Sequence, residues 1–171
     1  MDLTTARPSI WHRLRRRATP LGALGASALI AVGSLVPTLQ QCTPPSQQQQ
    51  VVDLTNQRRA QYGRPAVRVS SALSTAAQRH SEWQARNATM SHTGSGGSSA
   101  GQRIAATGYH ACAWAENVAA GQPDAQRVMG SWMNSSGHRA NILGNYRDIG
   151  VGLAYSSGGT PYWTMVLATS C

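Results

Sequence analysis

The chain has 171 residues, with fifteen Arg, no Lys, no Phe and six acidic residues, for a formal net charge of +9. That length suits one domain with appendages, and charged residues at only 12% exclude a long, charged disordered tail. Three cysteines are too few for a disulfide-dense scaffold and lack zinc-ribbon spacing.

The charge is concentrated at the start. Five Arg and one Asp lie within the first seventeen residues, and none of either sign follows from Ala18 to Val52. Leu21 to Val36 is apolar or small throughout, bounded by Pro20 and Pro37. A basic flank before an apolar run is the layout of an export signal or a membrane anchor. Residues 1–20 are thus a basic leader, 21–39 a signal peptide or anchor, and 40–50 a Pro/Gln-rich linker. The apolar run falls short of the ~20 residues that span a bilayer, so cleavage and retention both stay open. Cys42 is unpaired, lipidated or removed. The positive-inside rule keeps the N-terminus cytoplasmic, engaging the membrane or export machinery, with everything after Val36 outside. The remaining Arg are scattered, with Arg58-Arg59 the only adjacent pair, which gives no track for nucleic acid.

The folded part is expected over residues 51–171. Val51 to Arg58 fits a helix stopped by Gly63 and Pro65. Ser70 or Ser71 can cap a second, whose apolar face is Leu73, Ala76, Ala77 and His80, with His80 a packing residue. Gly94 to Gly101 forms a Gly/Ser loop, followed by a short helix over Gln102–Ala106 that ends at Gly108. His110 and Cys112 belong to a loop. Pro123 suits the first helical position of a segment buried through Val128, Met129, Trp132 and Met133 as far as Asn134. Asp148–Tyr155 and Tyr162–Thr169 alternate as strands about the turn Ser156–Pro161. Helices first and a terminal hairpin predict an α+β domain, with helices on a small antiparallel sheet.

Certain residues carry a family resemblance. Asn56, Arg59, Gly63, Leu73, Ala77 and His80-Ser81 are followed by Met90-Ser91-His92 and Ala115-Glu116-Asn117-Val118-Ala119. The box Trp132-Met133-Asn134-Ser135-Ser136-Gly137-His138-Arg139-Ala140-Asn141-Ile142-Leu143 comes next, then Ile149-Gly150-Val151-Gly152 and Tyr162-Trp163-Thr164. This ordered set resembles the bacterial branch of the CAP superfamily, which unites cysteine-rich secretory, antigen 5 and pathogenesis-related proteins. The resemblance implies an exported α-β-α sandwich (an SCP domain) with a central cleft. In many relatives two His and two Glu line that cleft and can hold a divalent cation. His92, Glu116 and His138 match three of those positions; Ser135 stands where the second Glu belongs.

Two imidazoles and one carboxylate form a three-donor set suited to a weakly held divalent metal such as Zn²⁺. A plain His92–Glu116 hydrogen bond that stabilises the loop is the other reading. Two functions follow. One is a non-enzymatic module that binds a lipid, a cell-envelope component or an extracellular protein at a cleft containing His92, Glu116, Ser135 and His138. The other is a metal-assisted hydrolase of peptides or envelope polymers, which lacks a spare carboxylate as base. Ser135 with His138 has no identifiable orienting acid, so no catalytic residue is assigned. Within 51–171 the only cysteines are Cys112 and Cys171, and an oxidising compartment would let them pair. A reporter active only in the cytoplasm, fused after Cys171, is expected to stay silent; activity would refute the exported placement.

Overall fold

The computed structural model describes residues 44–171; the leader, the apolar run and Cys42 lie outside them. Among the described residues no helix is long and apolar enough to cross a membrane. Helix α1 (Gln47–Gln61) begins inside the expected linker, because Ser46 Oγ accepts from Gln49 N–H and caps the first turn. Gln47 also docks, its Oε1 accepting the Ala125 N–H at 2.8 Å. The two-residue strand β1 (Arg68–Val69) leads into α2 (Ser71–Asn87), capped by Ser70. Helix α3 (Ala100–Ala105) starts two residues before the expected Gln102, since Ser99 and Gln102 form a capping box.

Strand β2 (Ala111–Ala120) takes in Cys112, expected in a loop, and a following stretch for which no element was expected. Alanine is a poor strand former, and tertiary pairing decides the conformation. Helix α4 (Ala125–Asn134) takes Asp124, not Pro123, as its boundary, because the Asp124 carboxylate accepts the Arg127 N–H at 2.7 Å. A separate α5 (Ser136–Ile142) follows one extended residue, Ser135. The hairpin β3 (Asp148–Tyr155) and β4 (Pro161–Ser170) stands where the alternation placed it.

The sheet runs β1-β3-β4-β2. It is antiparallel except for β1, which pairs parallel with β3. The β4 side chains alternate between two cores. Trp163, Met165 and Leu167 face α1, α4 and α5 with Val51, Met129, Trp132 and Ile142; Val166 and Ala168 face α2 and α3 with Leu73, Ala77 and Ile104. The fold is an α-β-α sandwich. Cys112 and Cys171 form a disulfide that joins the start of β2 to the chain end. Their separation of 59 residues suggests about 4 kcal/mol from restricting the unfolded chain.

The tightest contact in the sandwich is α2 on β3. An added Cβ at Gly150 would lie 2.1 Å from Leu73 C, and one at Gly152 2.4 Å from Ala77 C. Backbone rests on backbone, with no room for a methyl group. Gly150→Ala is therefore expected to destabilise the domain by about 3 kcal/mol. Gly130, inside α4 with nothing near its Cβ position, gives the opposite sign on replacement by Ala, about 0.5–1 kcal/mol of stabilisation. Urea unfolding of the two variants beside the wild type checks both.

Candidate functional site

The site is assembled around Glu116, on the face of β2 that looks toward α3. Glu116 is paired in register with Val166, and its side chain is only 2% exposed. A buried carboxylate needs partners, and two are present. Arg103 Nη2, from α3, donates to Oε2 at 2.7 Å, and His92 Nδ1 lies 2.9 Å from Oε1. A carboxylate only accepts, so His92 Nδ1 carries the proton and the ring turns Nε2 outward. Arg103 is itself held by Nη1 donating to Ser98 O at 2.6 Å.

His92 reaches Glu116 because α2 grips the loop in front of it. His80 Nε2 donates to Ser91 O at 2.7 Å, and Gln84 Oε1 accepts the Ser91 N–H at 3.1 Å. The expected packing role of His80 is thus only half the account. It is buried and stacks on Trp83, but its Nδ1 has no partner among the described residues. Burial lowers its pKa, with Glu116 opposing the shift and Arg103 and His92 adding to it. The hydrogen bond to Ser91 O also opposes the shift, whose net direction favours the neutral ring.

On the other face of β2, Asn117 and Asn141 lock α5 to the strand. Asn117 Nδ2 donates to His138 O at 3.1 Å, and Asn141 Nδ2 donates to Asn117 Oδ1 at 2.8 Å and to Glu116 O at 3.3 Å. Trp132 Nε1 donates to Val118 O, so side chains cover the outer edge of β2. A cleft of about 440 Å³ opens beside this edge, lined by His92, Thr93, Trp114, Glu116, Asn141 and Tyr146 among others. Neither Ser135 nor His138 lines it. Ser135 is the extended residue between α4 and α5, and its side chain caps nothing. His138 is half-buried on α5; burial first, then repulsion from His92, lowers its pKa. A larger hollow of about 610 Å³ lies between α1 and α2 and shares no residue with this site.

Of the four expected cleft residues, the structure brings His92 and Glu116 into direct contact. Among the described residues no three His, Cys, Asp or Glu side chains converge as metal donors. The Glu116 oxygens are already engaged by a guanidinium and an imidazole N–H, so the residues as arranged do not fit an ion. Arg103 supplies the positive charge a metal would bring. Sequence reasoning passed over Arg103, Trp114 and Tyr146. Only one signal pointed to Arg103: Glu116 lies in an otherwise uncharged strand and must find a cation when buried.

The sequence matches the CAP family, described as the cysteine-rich secretory protein family, over residues 52–167. The chain belongs to this family. It is 33% identical over 110 residues to the uncharacterized protein YkwD of Bacillus subtilis (strain 168), a match covering 64% of the chain and 43% of YkwD. The chain thus spans under half the length of that relative. The CAP domain is also similar in structure to an extracellular protein containing an SCP domain from Bacillus anthracis, with TM-score 0.65, 26% identity, and coverage of 72% of this chain and 40% of that one. An outer surface protein of Borrelia burgdorferi shares the fold at 18% identity and TM-score 0.64, covering 71% of this chain and 90% of its own. A cysteine-rich secretory protein of Staphylococcus aureus does so at 21% and 0.58, over 72% and 39%.

The ion pair at the centre of the CAP domain carries a measurable cost on removal. Arg103→Met would leave the Glu116 carboxylate buried beside His92 alone, and is expected to destabilise the domain by about 3–5 kcal/mol. Adding Glu116→Gln to it removes the stranded charge, so the double variant should be more stable than Arg103→Met. Equilibrium urea unfolding of the singles and the double checks the coupling; additive losses would contradict it.

Proposed function

We propose that this chain is an exported, non-enzymatic CAP-domain protein that binds a small ligand or envelope component in the cleft beside His92 and Glu116. The observation that carries the reading is the state of Glu116. Both of its oxygens are engaged by Arg103 and His92, which leaves no free carboxylate among the described residues lining the cleft to act as base in a hydrolysis. The cleft beside it is open, concave, and lined by aromatic rings together with a few polar groups, the usual make-up of a binding site. The exported placement is supported by the Arg-rich flank and uncharged run of residues 1–39, and by the extracellular and outer-surface character of the B. anthracis and B. burgdorferi proteins.

Thr93 is exposed on the cleft wall, and Thr93→Trp places an indole in the space without touching the core. Full-length protein extracted gently from its native envelope is expected to carry an additional bound mass in native mass spectrometry, absent from Thr93→Trp. An unliganded wild type, or Zn²⁺-dependent cleavage of peptide or envelope polymer by it, would overturn the reading.

A further inference from the structure

The tryptophans of the sheet and its covering helices are not used alike. Trp132 and Trp163 are buried, and each donates its indole N–H to a main-chain oxygen, of Val118 and Gln122 respectively. Trp114 does neither. It is 44% exposed, and among the described residues its N–H has no partner. Its ring is nevertheless held in place. A Cβ added at Gly101 would meet Cε2, Nε1 and Cζ2 of that ring at 3.1–3.2 Å, so the α3 backbone backs the indole. An aromatic plate fixed from behind and open to solvent costs apolar exposure, and it forms part of the wall of the same cleft.

The polar groups around this plate share one chemical character. Nothing among the described residues pairs with His92 Nε2, Thr93 Oγ1, Asn141 Oδ1 or the Tyr146 hydroxyl, and all four residues line the cleft. None carries a fixed charge. The charged groups beside them, Glu116 and Arg103, satisfy one another. A phosphate or a metal ion would find no unpaired opposite charge here. Hydroxyl groups, each both donor and acceptor, match such a neutral set.

Resting on the reading of the cleft as a binding site, we infer that its ligand is a neutral saccharide, with the apolar C–H face of one sugar ring stacked on Trp114 and its hydroxyl edge bonded to His92, Thr93, Asn141 and Tyr146. The volume of about 440 Å³ lies within the range of pockets that enclose small ligands, about 300–1,000 Å³.

Chitotriose and maltotriose serve as neutral probes, titrated into the full chain by calorimetry and by saturation-transfer NMR. At least one is expected to bind saturably, with ring C–H protons receiving the transfer. Trp114→Ala should weaken it about tenfold, the scale of one aromatic contact, whereas Trp114→Phe retains most of the affinity because it keeps a ring. Tyr146→Phe should weaken it a few-fold by deleting one hydroxyl, and Thr93→Trp should abolish it. Circular dichroism and melting temperature confirm that each variant is folded. Saturable binding unchanged in Trp114→Ala would overturn the stacking, and no binding of either sugar would overturn the ligand class. If both sugars fail while native extraction still yields a bound mass lost in Thr93→Trp, the saccharide inference falls and the cleft reading survives. If that mass is also missing, both fall.

Discussion

The close seating of α2 on β3 is the contact from which the rest of the site is measured. Gly150 and Gly152 present no side chain to the helix, so the helix main chain comes down onto the strand at Leu73 and Ala77. A rigid helix anchored at its first two turns has no freedom left at its last two. Ser81 and Gln84 then meet Thr164 on β4 at 2.9 and 3.0 Å, while His80 and Gln84 hold Ser91. His92 follows Ser91 and arrives at Glu116. A pair of absent methyl groups on β3 therefore decides where an imidazole sits beside β2, two strands away in the sheet.

Buried polar groups are handled in two ways in this domain, and the contrast explains what the cleft can do. Arg59 is 1% exposed and has no carboxylate partner among the described residues; its guanidinium donates to the carbonyls of Pro65, Ile142, Gly144 and Tyr146 at 2.7–3.2 Å. Burial, with Arg64 nearby, lowers its pKa. It gathers the loops after α1 and α5 by meeting their main-chain acceptors, of which Gly144 O also accepts the Tyr146 N–H. Glu116 takes a guanidinium from α3 and an imidazole from the loop after α2, and so closes the face of β2 toward those elements. In both cases the charge is consumed by the framework. What remains at the cleft surface is aromatic or neutral, so the binding proposed for it would rest on shape and hydrogen bonding.

Much of the architecture is legible in the sequence. The β3–β4 hairpin has Ile149, Val151 and Leu153 alternating with small residues, an apolar second strand and a Gly-rich turn, all local signals, and Ser70 marks the start of α2 by its own hydroxyl. The pairing of Cys112 with Cys171 needed only their isolation within the domain. The misreadings share one physical origin. Alanine-rich β2 has little intrinsic preference for a strand and takes that form because β4 offers it a ladder. The Gln run enters α1 because Ser46 caps it and α4 receives Gln47. Helix α4 stops, and α5 begins, at a Ser whose extended backbone no periodicity foretells.

The sequence by itself determined the family resemblance, the layout of helices before a hairpin, the disulfide partners, and the choice of His92 and Glu116 as residues to look at together. Each of these is written in residue type and order, or in spacings of a few residues. The tertiary structure alone decided what those residues face. Arg103 lies thirteen positions from Glu116 on a different element, and Asn141 and Tyr146 come from beyond α4. Whether a histidine and a glutamate hold an ion or complete an internal pair depends on which third group lies within about 3 Å. That distance is set by packing across the sheet, where chain separation carries no information.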